Sequence, residues 1–303
     1  GAQYVHTFDK CFFMPSDLTA GLEYNRDRLK DNMWGYNRHT DQTVNIYSAF
    51  LQNEWKNDRW GILIGGRLDK HNMVDNVIFS PRANLRFNPT QNINLRLSYS
   101  SGFRAPQAFD EDMHIENVGG TVAMIERAKD LKEEKSQSFS VSADMYHRFG
   151  AFQTNLLIEG FYTRLTDVFV LGKPYDRGDG ILVKTRSNGP GAKVMGLTLE
   201  GKVAYLSILQ IQAGLTLQRS RYDEPHKWHD DAPAEKKIFR TPDTYGYFTA
   251  TCTPIKPLSI ALSGTYTGRM LVQRMDITAE NAELGKMPER KAEAIRTPRF
   301  FDL

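Results

Sequence analysis

The sequence predicts an all-β fold, an antiparallel up-and-down transmembrane β-barrel, from two observations. Apolar and polar residues alternate with period two in about twelve segments, the pattern of strands with one apolar and one polar face. The connections between these segments alternate between short turns and long loops, which is typical of outer-membrane barrels. A β-sandwich would distribute its long loops over both ends.

The alternation is clearest at residues 209–218, where leucine, isoleucine and alanine occupy the odd positions and glutamine, glycine and threonine the even ones. In a barrel the apolar face meets lipid and the polar face lines the lumen. Arginines 67, 82, 86 and 96 belong to the predicted polar face. The predicted strands lie near residues 3–10, 17–27, 43–55, 59–69, 76–87, 92–100, 138–146, 152–169, 197–205, 209–218, 243–253 and 258–269. Residues 299–303 are predicted to begin one more strand.

The connections and the strand ends support the same fold. Aromatic residues near strand ends, such as Trp55 and Trp60, fit the girdles at membrane interfaces, although aromatics also favour strands in general. Short connections are predicted at 56–58, 88–91, 149–150, 206–207 and 254–257. Long loops are predicted at 27–42, 101–135, 171–190, 221–238 and 274–298.

Composition excludes several classes of protein. The 303 residues include 39 Lys and Arg against 36 Asp and Glu, a balance that argues against a nucleic-acid partner. No run of about 18 apolar residues predicts a transmembrane helix, whereas strands of a barrel need no such run. Cys11 and Cys252 have no metal-binding spacing and are interpreted as ordinary small residues. Neither G-x-S-x-G nor H-E-x-x-H occurs, so we predict no enzyme, no resident metal and no cofactor.

Five motifs, taken in order, resemble a known family. Residues 92–106 read N-I-N-L-R-L-S-Y-S-S-G-F-R-A-P; the others are W-G-I-L-I-G-G-R-L-D at 60–69, F-S-P-R-A-N-L at 79–85, D-L-K-E-E-K-S-Q-S-F-S at 130–140 and G-L-T-L-E-G at 196–201. The series resembles the C-terminal half of the barrel of TonB-dependent outer-membrane receptors. The most specific part is the F-R-A-P strand, followed by a long loop and the L-K-x-E-x-S start of the next strand. The sequence style of these motifs is similar to that of receptors of the Bacteroidetes.

The resemblance implies a barrel of about 22 strands with a plugged lumen, in the outer membrane of a Gram-negative bacterium. Such receptors import ferric siderophores, haem or cobalamin and are energised by the TonB complex. We expect residues 1–303 to form one partial barrel of about twelve strands, with the plug domain and the last strands absent. The expected partners are outer-membrane lipid, the TonB complex through the missing N-terminal region, and a metal chelate or cobalamin-like small molecule.

Candidate ligand contacts lie in the long loops. Loop 101–135 carries three carboxylates and an imidazole, at Asp110, Glu111, Asp112 and His114. These groups either contact a metal or metal chelate, which such ligands suit, or simply form a solvated acidic loop. Loop 221–238 carries aromatic and imidazole rings at Tyr222, His226 and Trp228. These rings either stack on a macrocycle or catecholate, or pack together as ordinary loop aromatics. Arg104, at the exit of the F-R-A-P strand, suits an anionic ligand, or pairs with a lumen carboxylate or orders the loop.

Three alternatives remain at this point. A passive porin or other channel shares the alternation but predicts neither F-R-A-P nor a plug. A soluble β-rich binding or adhesion protein predicts two sheets that share one dry core, with the polar faces outside. A third possibility is a non-native fold in which strands of two chains pair at their edges.

Overall fold

The computed structural model describes residues 1–36, 38–108, 116–118, 121–178, 181–228, 232–277 and 290–303. A 3-10 turn occupies Trp34–Tyr36. The strands are β1 (Ala2–Cys11), β2 (Met14–Met33), β3 (Arg38–Lys56), β4 (Trp60–His71), β5 (Ile78–Thr90), β6 (Ile93–Arg104), β7 (Glu116–Val118), β8 (Thr121–Arg127), β9 (Glu134–Phe149), β10 (Phe152–Thr166), β11 (Phe169–Leu171), β12 (Tyr175–Asp176), β13 (Leu182–Asn188), β14 (Ala192–Tyr205), β15 (Leu209–His226), β16 (Glu235–Lys237), β17 (Thr244–Ile255), β18 (Leu258–Thr267), β19 (Leu271–Ile277), β20 (Arg290–Arg296) and β21 (Phe300–Asp302).

One large antiparallel sheet dominates the structure. Its strand order is β1-β2-β3-β4-β5-β6-β9-β10-β14-β15-β17-β18-β21, so each long strand pairs with the next long strand in the chain. Twelve long strands and the start of a thirteenth, β21, follow the predicted order, which confirms the up-and-down fold. No ladder joins β1 to β21 among the described residues, so this portion of the sheet is open.

The two ends of the sheet differ in their connections. At one end, the turn end, consecutive strands are joined by two or three residues, as at Phe12–Phe13 and at 57–59. Phe12, Gly150 and Leu206 have positive φ angles of 63°, 58° and 50° in these turns, the conformation that tight reversals require. At the other end, the loop end, the connections are longer and carry the short strands. The predicted separation of short turns from long loops is therefore confirmed.

Among the described residues, none packs over the apolar face of the main sheet, whose side chains stay exposed. Leu22 is 67% exposed, Val141 59% and Ile260 57%, although all three are strand residues. The buried apolar side chains instead lie mainly at the loop end, among them Val74, Ala105, Met124 and Val183. Two sheets with a shared dry core are therefore not present in the described chain. An apolar face that stays exposed over so many strands is the face that lipid covers in a barrel.

The polar face is organised by hydrogen bonds between neighbouring strands. Arg67 donates to Glu23, Ser48 and Asp69, with donor–acceptor distances of 2.7 to 2.8 Å. Farther along the sheet, Tyr247 donates to Glu200 across 2.6 Å. The Tyr247 ring lies against Gly214, where an added Cβ would come within 2.6 Å of it. Because these polar and charged side chains bond to one another across neighbouring strands, they are held in fixed positions. We call the main sheet, with this polar face, the wall.

Three of the predicted long loops need correction. Residues 27–42 are not a long loop, because β2 continues to Met33 and β3 begins at Arg38. The backbone ladder of this hairpin continues to Met33 and Arg38, and Arg28 donates two hydrogen bonds to Asp41 at 3.0 and 2.7 Å on its surface. The other two loops, 101–135 and 171–190, contain strands β7, β8, β12 and β13 and the end of β11.

Those five short strands form a second sheet, which we call the loop sheet. Its centre is a parallel pairing of β8 with β13, two strands that belong to different loops. Met124 and Val183 face each other in this pairing, and both are fully buried. Asn188 joins the same two loops by accepting from the Lys132 amide at 2.8 Å. The loop sheet thus has a small dry core of its own.

Within the described part of the chain, no helix has the length and apolarity needed to cross a membrane.

Candidate ligand-binding site

The segment that follows β6 is fixed to the wall at the loop end. Gln42 on β3 holds Ala108 by two hydrogen bonds, accepting from its amide at 2.8 Å and donating to its carbonyl at 3.3 Å. Arg127 of the loop sheet donates to the Pro106 carbonyl at 2.7 Å. Ala105, Pro106 and Ala108 are buried as a result. The residues after F-R therefore form an anchor between the wall and the loop sheet.

His71, the last residue of β4, completes this anchor. It is fully buried, and its Nδ1 accepts a hydrogen bond from the Met73 amide at 3.0 Å. Its Nε2 lies 3.2 Å from the Gln107 side-chain oxygen, so the neutral ring with its proton on Nε2 satisfies both contacts. Burial lowers the pKa of His71 below its ordinary value of 6.5, and the hydrogen bond to Gln107 opposes this only partly.

The lowered pKa predicts that acid loosens the anchor. Folded His71 binds a proton less readily than unfolded His71. The stability that neutral His71 contributes is therefore fully present above pH 6.5, the ordinary pKa of the unfolded group, and is lost as the pH falls from there through the pKa of the folded group. We expect the hydrogen-exchange protection of the Met73 and Ala108 amides, corrected for intrinsic exchange, to fall between pH 7.5 and 5. The intact protein should be used.

Two variants make this prediction specific. His71→Gln should have weaker protection at pH 7.5 but a smaller dependence on pH, because glutamine does not titrate. His6→Gln, at an exposed position of β1, is the control and should behave as the unmodified protein does. An unchanged pH dependence in His71→Gln would show that another group is responsible.

Arg104, a predicted contact, ends β6 on the polar face and faces Glu134 across the β6–β9 ladder. Its guanidinium lies 5.5 Å from the centre of the Phe169 ring, a cation–π distance. Glu134 accepts a hydrogen bond from the Phe169 amide at 2.8 Å. Arg104 therefore lies between a strand and the loop sheet, with its positive charge close to one aromatic face.

Tyr222 and His226, also predicted contacts, lie on the same polar face at the end of β15. Their rings are 5.8 Å apart, and both are partly buried. Burial and the negative charge of Glu134 raise the pKa of Tyr222, so its hydroxyl remains a hydrogen-bond donor at neutral pH. Burial also lowers the pKa of His226, so its ring is neutral there. Glu134 thus connects the Arg104 side of the site with the Tyr222 side.

The remaining predicted contacts are placed differently. Trp228 packs against Phe239, with ring centres 6.2 Å apart, which is a contact within its own loop. The acidic group Asp110, Glu111, Asp112 and His114 lies outside the described residues. Among the residues that the structure describes, no group of three or more His, Cys, Asp or Glu side chains could hold a metal ion. The described site therefore offers one cation, one carboxylate and three neutral rings, those of Phe169, Tyr222 and His226.

Comparison with known proteins identifies the architecture. The model of the family "TonB dependent receptor-like, beta-barrel" matches residues 2–278. The chain belongs to this family. As a receptor barrel of the Gram-negative outer membrane, it directs its turn end to the periplasm and its loop end to the outside. The match to this family favours a receptor barrel over the passive porin that the alternation alone left open.

Solved receptor barrels share this fold. The siderophore receptor PirA from Acinetobacter baumannii has a TM-score of 0.68 at 15% identity, covering 99% of this chain and 46% of that one. A variant of the ferric enterobactin receptor PfeA from Pseudomonas aeruginosa, in complex with enterobactin, has a TM-score of 0.70 at 16% identity, covering 99% and 44%. The receptor barrel described here thus spans about half the length of these structures. At these identities the likeness shows the fold alone.

A curated relative is the probable hemoglobin and hemoglobin-haptoglobin-binding protein 3 of Haemophilus influenzae. It is 23% identical over 206 residues, which cover 66% of this chain and 18% of the relative. The relatives named here come from Acinetobacter, Pseudomonas and Haemophilus, so the similarity to receptors of the Bacteroidetes stays a prediction.

Sequence reasoning missed two residues of the candidate site, Glu134 and Phe169. Glu134 belongs to the L-K-x-E-x-S segment, and it could have been found by pairing the end of the F-R-A-P strand with the start of the next one. Phe169 carries no such signal, because its strand β11 pairs only within the loop sheet.

Proposed function

We propose that this chain is part of an outer-membrane receptor that imports a scarce, bulky nutrient of the ferric siderophore, haem or cobalamin class, energised by TonB in the intact protein. The observation that carries the proposal is the match of the family model over residues 2–278. The names of the relatives agree with it, since they describe siderophore receptors and a haemoglobin-binding protein. The continuous main sheet further supports treating residues 1–303 as one portion of a barrel.

The cluster at the loop end supports a contact role in this proposal. Arg104 offers a cation to a carboxylate or catecholate, and such charge-assisted hydrogen bonds contribute about 1.5–3 kcal/mol. The Tyr222 hydroxyl is a donor, and the His226 ring is an uncharged surface on which a flat ligand can stack. Arg104 and Tyr222 alternate onto the polar face, which lines the lumen, and the His226 ring lies beside that of Tyr222.

Growth on defined nutrients tests the proposal. The intact gene should be deleted from its native host, and growth compared on single ferric siderophores, haem or cobalamin. We expect growth to fail on one of these sources, to return with the unmodified gene, and to require a functional TonB. Unchanged growth on all of them would contradict the proposed nutrient classes and favour another substrate, such as an oligosaccharide.

Complementation with point variants then tests the site. Arg104→Ala should weaken ligand binding by about 10- to 100-fold, the loss expected for one charge-assisted hydrogen bond. Tyr222→Phe should weaken it less, since only a neutral donor is removed. Arg96→Ala is the matched control, because Arg96 lies on the same face of β6 eight residues closer to the turn end. Equal binding by Arg104→Ala and Arg96→Ala would remove Arg104 from the site.

A further inference from the structure

The lipid-facing side of the receptor barrel contains a shallow apolar groove of about 730 Å³ between β6 and β17. It is centred on Gly160 of β10, where the absence of a side chain leaves space between the neighbouring strands. A Cβ added at Gly160 would approach only Val141, at an ordinary distance of 3.6 Å. The groove is lined by outward-facing apolar residues that include Leu97, Phe139, Val141, Tyr162, Leu197 and Leu217.

Cationic side chains lie directly beside this groove, on its loop-end side. Arg164 faces Lys193 across the β10–β14 ladder, and Lys193 faces Arg221 across the next ladder. Arg219 lines the groove itself and faces Met195. All four alternate onto the outward face, where the apolar residues of the same strands are exposed. We call this group, Arg164, Lys193, Arg219 and Arg221, the outer cationic patch.

Carboxylates neutralise only part of the outer cationic patch. Asp223 forms an ion pair with Lys193 at 2.7 Å. Lys237, on the neighbouring β16, is paired with Asp243. Arg164, Arg219 and Arg221 are exposed and give the patch an excess of positive charge.

We propose that the groove and the outer cationic patch together bind one phosphorylated, acylated glycolipid of the outer leaflet. Cations in excess of nearby carboxylates are costly on a lipid-facing wall within hydrocarbon, but they are favourable where lipid head groups carry negative charge. The patch lies toward the outside, so the outer leaflet supplies the lipid. An acyl chain lies along the groove over Gly160, while Arg164 and Arg219 donate hydrogen bonds to a sugar phosphate.

Binding of purified lipid A to the intact receptor tests this site. The receptor is extracted in detergent, stripped of lipid and titrated with bisphosphorylated lipid A, and the bound lipid is counted by native mass spectrometry. The double variant Arg164→Gln, Arg219→Gln should bind at least about tenfold more weakly, because two charge-assisted contacts are lost. The matched control Arg82→Gln, Arg96→Gln removes the same charge from the opposite, lumenal face and should bind as the unmodified receptor does.

A second variant tests the groove independently of charge. Gly160→Leu fills the space and should weaken the binding of lipid A while the barrel stays folded, as judged by heat-modifiable gel migration. Dephosphorylated lipid A should be insensitive to the arginine substitutions and should still bind less well to Gly160→Leu. The proposal is overturned if the arginine pair matches its lumenal control, or if phosphatidylglycerol displaces lipid A at equal concentration.

Discussion

Replacing Leu199 with arginine should destabilise the receptor barrel by about 2–4 kcal/mol, the cost of a cation near the middle of the lipid-facing surface of a barrel. Leu199 lies near the middle of β14, between Ile158 and Leu215 of the neighbouring strands. It remains 38% exposed because lipid, rather than protein, covers it. Urea unfolding of the intact receptor in lipid vesicles, followed by heat-modifiable gel migration, measures the loss.

Thr249→Arg provides the matched control. Thr249 is an exposed residue of β17 that faces Gln212 on the polar face, so its arginine would enter the aqueous lumen. We expect this variant to unfold within about 0.5 kcal/mol of the unmodified receptor, as surface substitutions usually do. If the two arginines cost the same, the assignment of the apolar face to lipid is wrong.

Replacing Val183 with aspartate should open the loop sheet while leaving the barrel wall folded. Val183 is fully buried opposite Met124, so the new carboxylate would lose its water without gaining a partner. Burying such a group costs several kcal/mol, more than a small sheet of five short strands can absorb. We expect rapid proteolytic cleavage within residues 121–188 and loss of nutrient uptake, with unchanged heat-modifiable migration of the barrel.

The control for this substitution lies in the same sheet. Tyr175→Asp places an equal charge on β12, where the side chain is 48% exposed, and should leave both proteolysis and uptake close to normal. Joint loss of the barrel and the loop sheet in Val183→Asp would show that the two are one cooperative unit. Intact loops in that variant would contradict the dry core at Met124 and Val183.

The sequence predicts the membrane-facing part of the fold well, because lipid imposes a simple rule on it. At residues 209–218 every outward position is apolar and every inward position is glycine, threonine or glutamine, so the strand and its two faces follow directly. The turns follow in the same way, since two or three residues between such segments leave room only for a tight reversal.

The same rule fails where the strands leave the lipid. Residues 24–31, in the second half of β2, read Y-N-R-D-R-L-K-D. Polar residues occupy both faces of the strand there, because water surrounds both faces. The alternation therefore disappears although the strand continues, and residues 27–42 look like a loop. The hairpin is held by the backbone ladder, which runs to Met33 and Arg38, and the exposed pair of Arg28 with Asp41 that accompanies it cannot be distinguished by composition from any other pair of charges.

The site was predictable only in part, for a related reason. Arg104, Tyr222 and His226 could be chosen because each is chemically distinctive and lies near the end of a strand. Their relation to one another depends on Glu134, whose position follows from the ladder between β6 and β9 rather than from the nearby sequence. The pairing of β8 with β13 joins residues about 60 positions apart, beyond the range of any local pattern.

That long separation has a consequence for the order of assembly. Strands β8 and β13 are brought together by β6, β9, β10 and β14, whose antiparallel ladders hold the bases of the two loops side by side. Each of those ladders joins nearer partners and closes smaller loops, so they form at a lower entropic cost. The loop sheet is therefore a late product of assembly, and a chain whose strands have not yet paired lacks the surface at which we propose that the ligand binds.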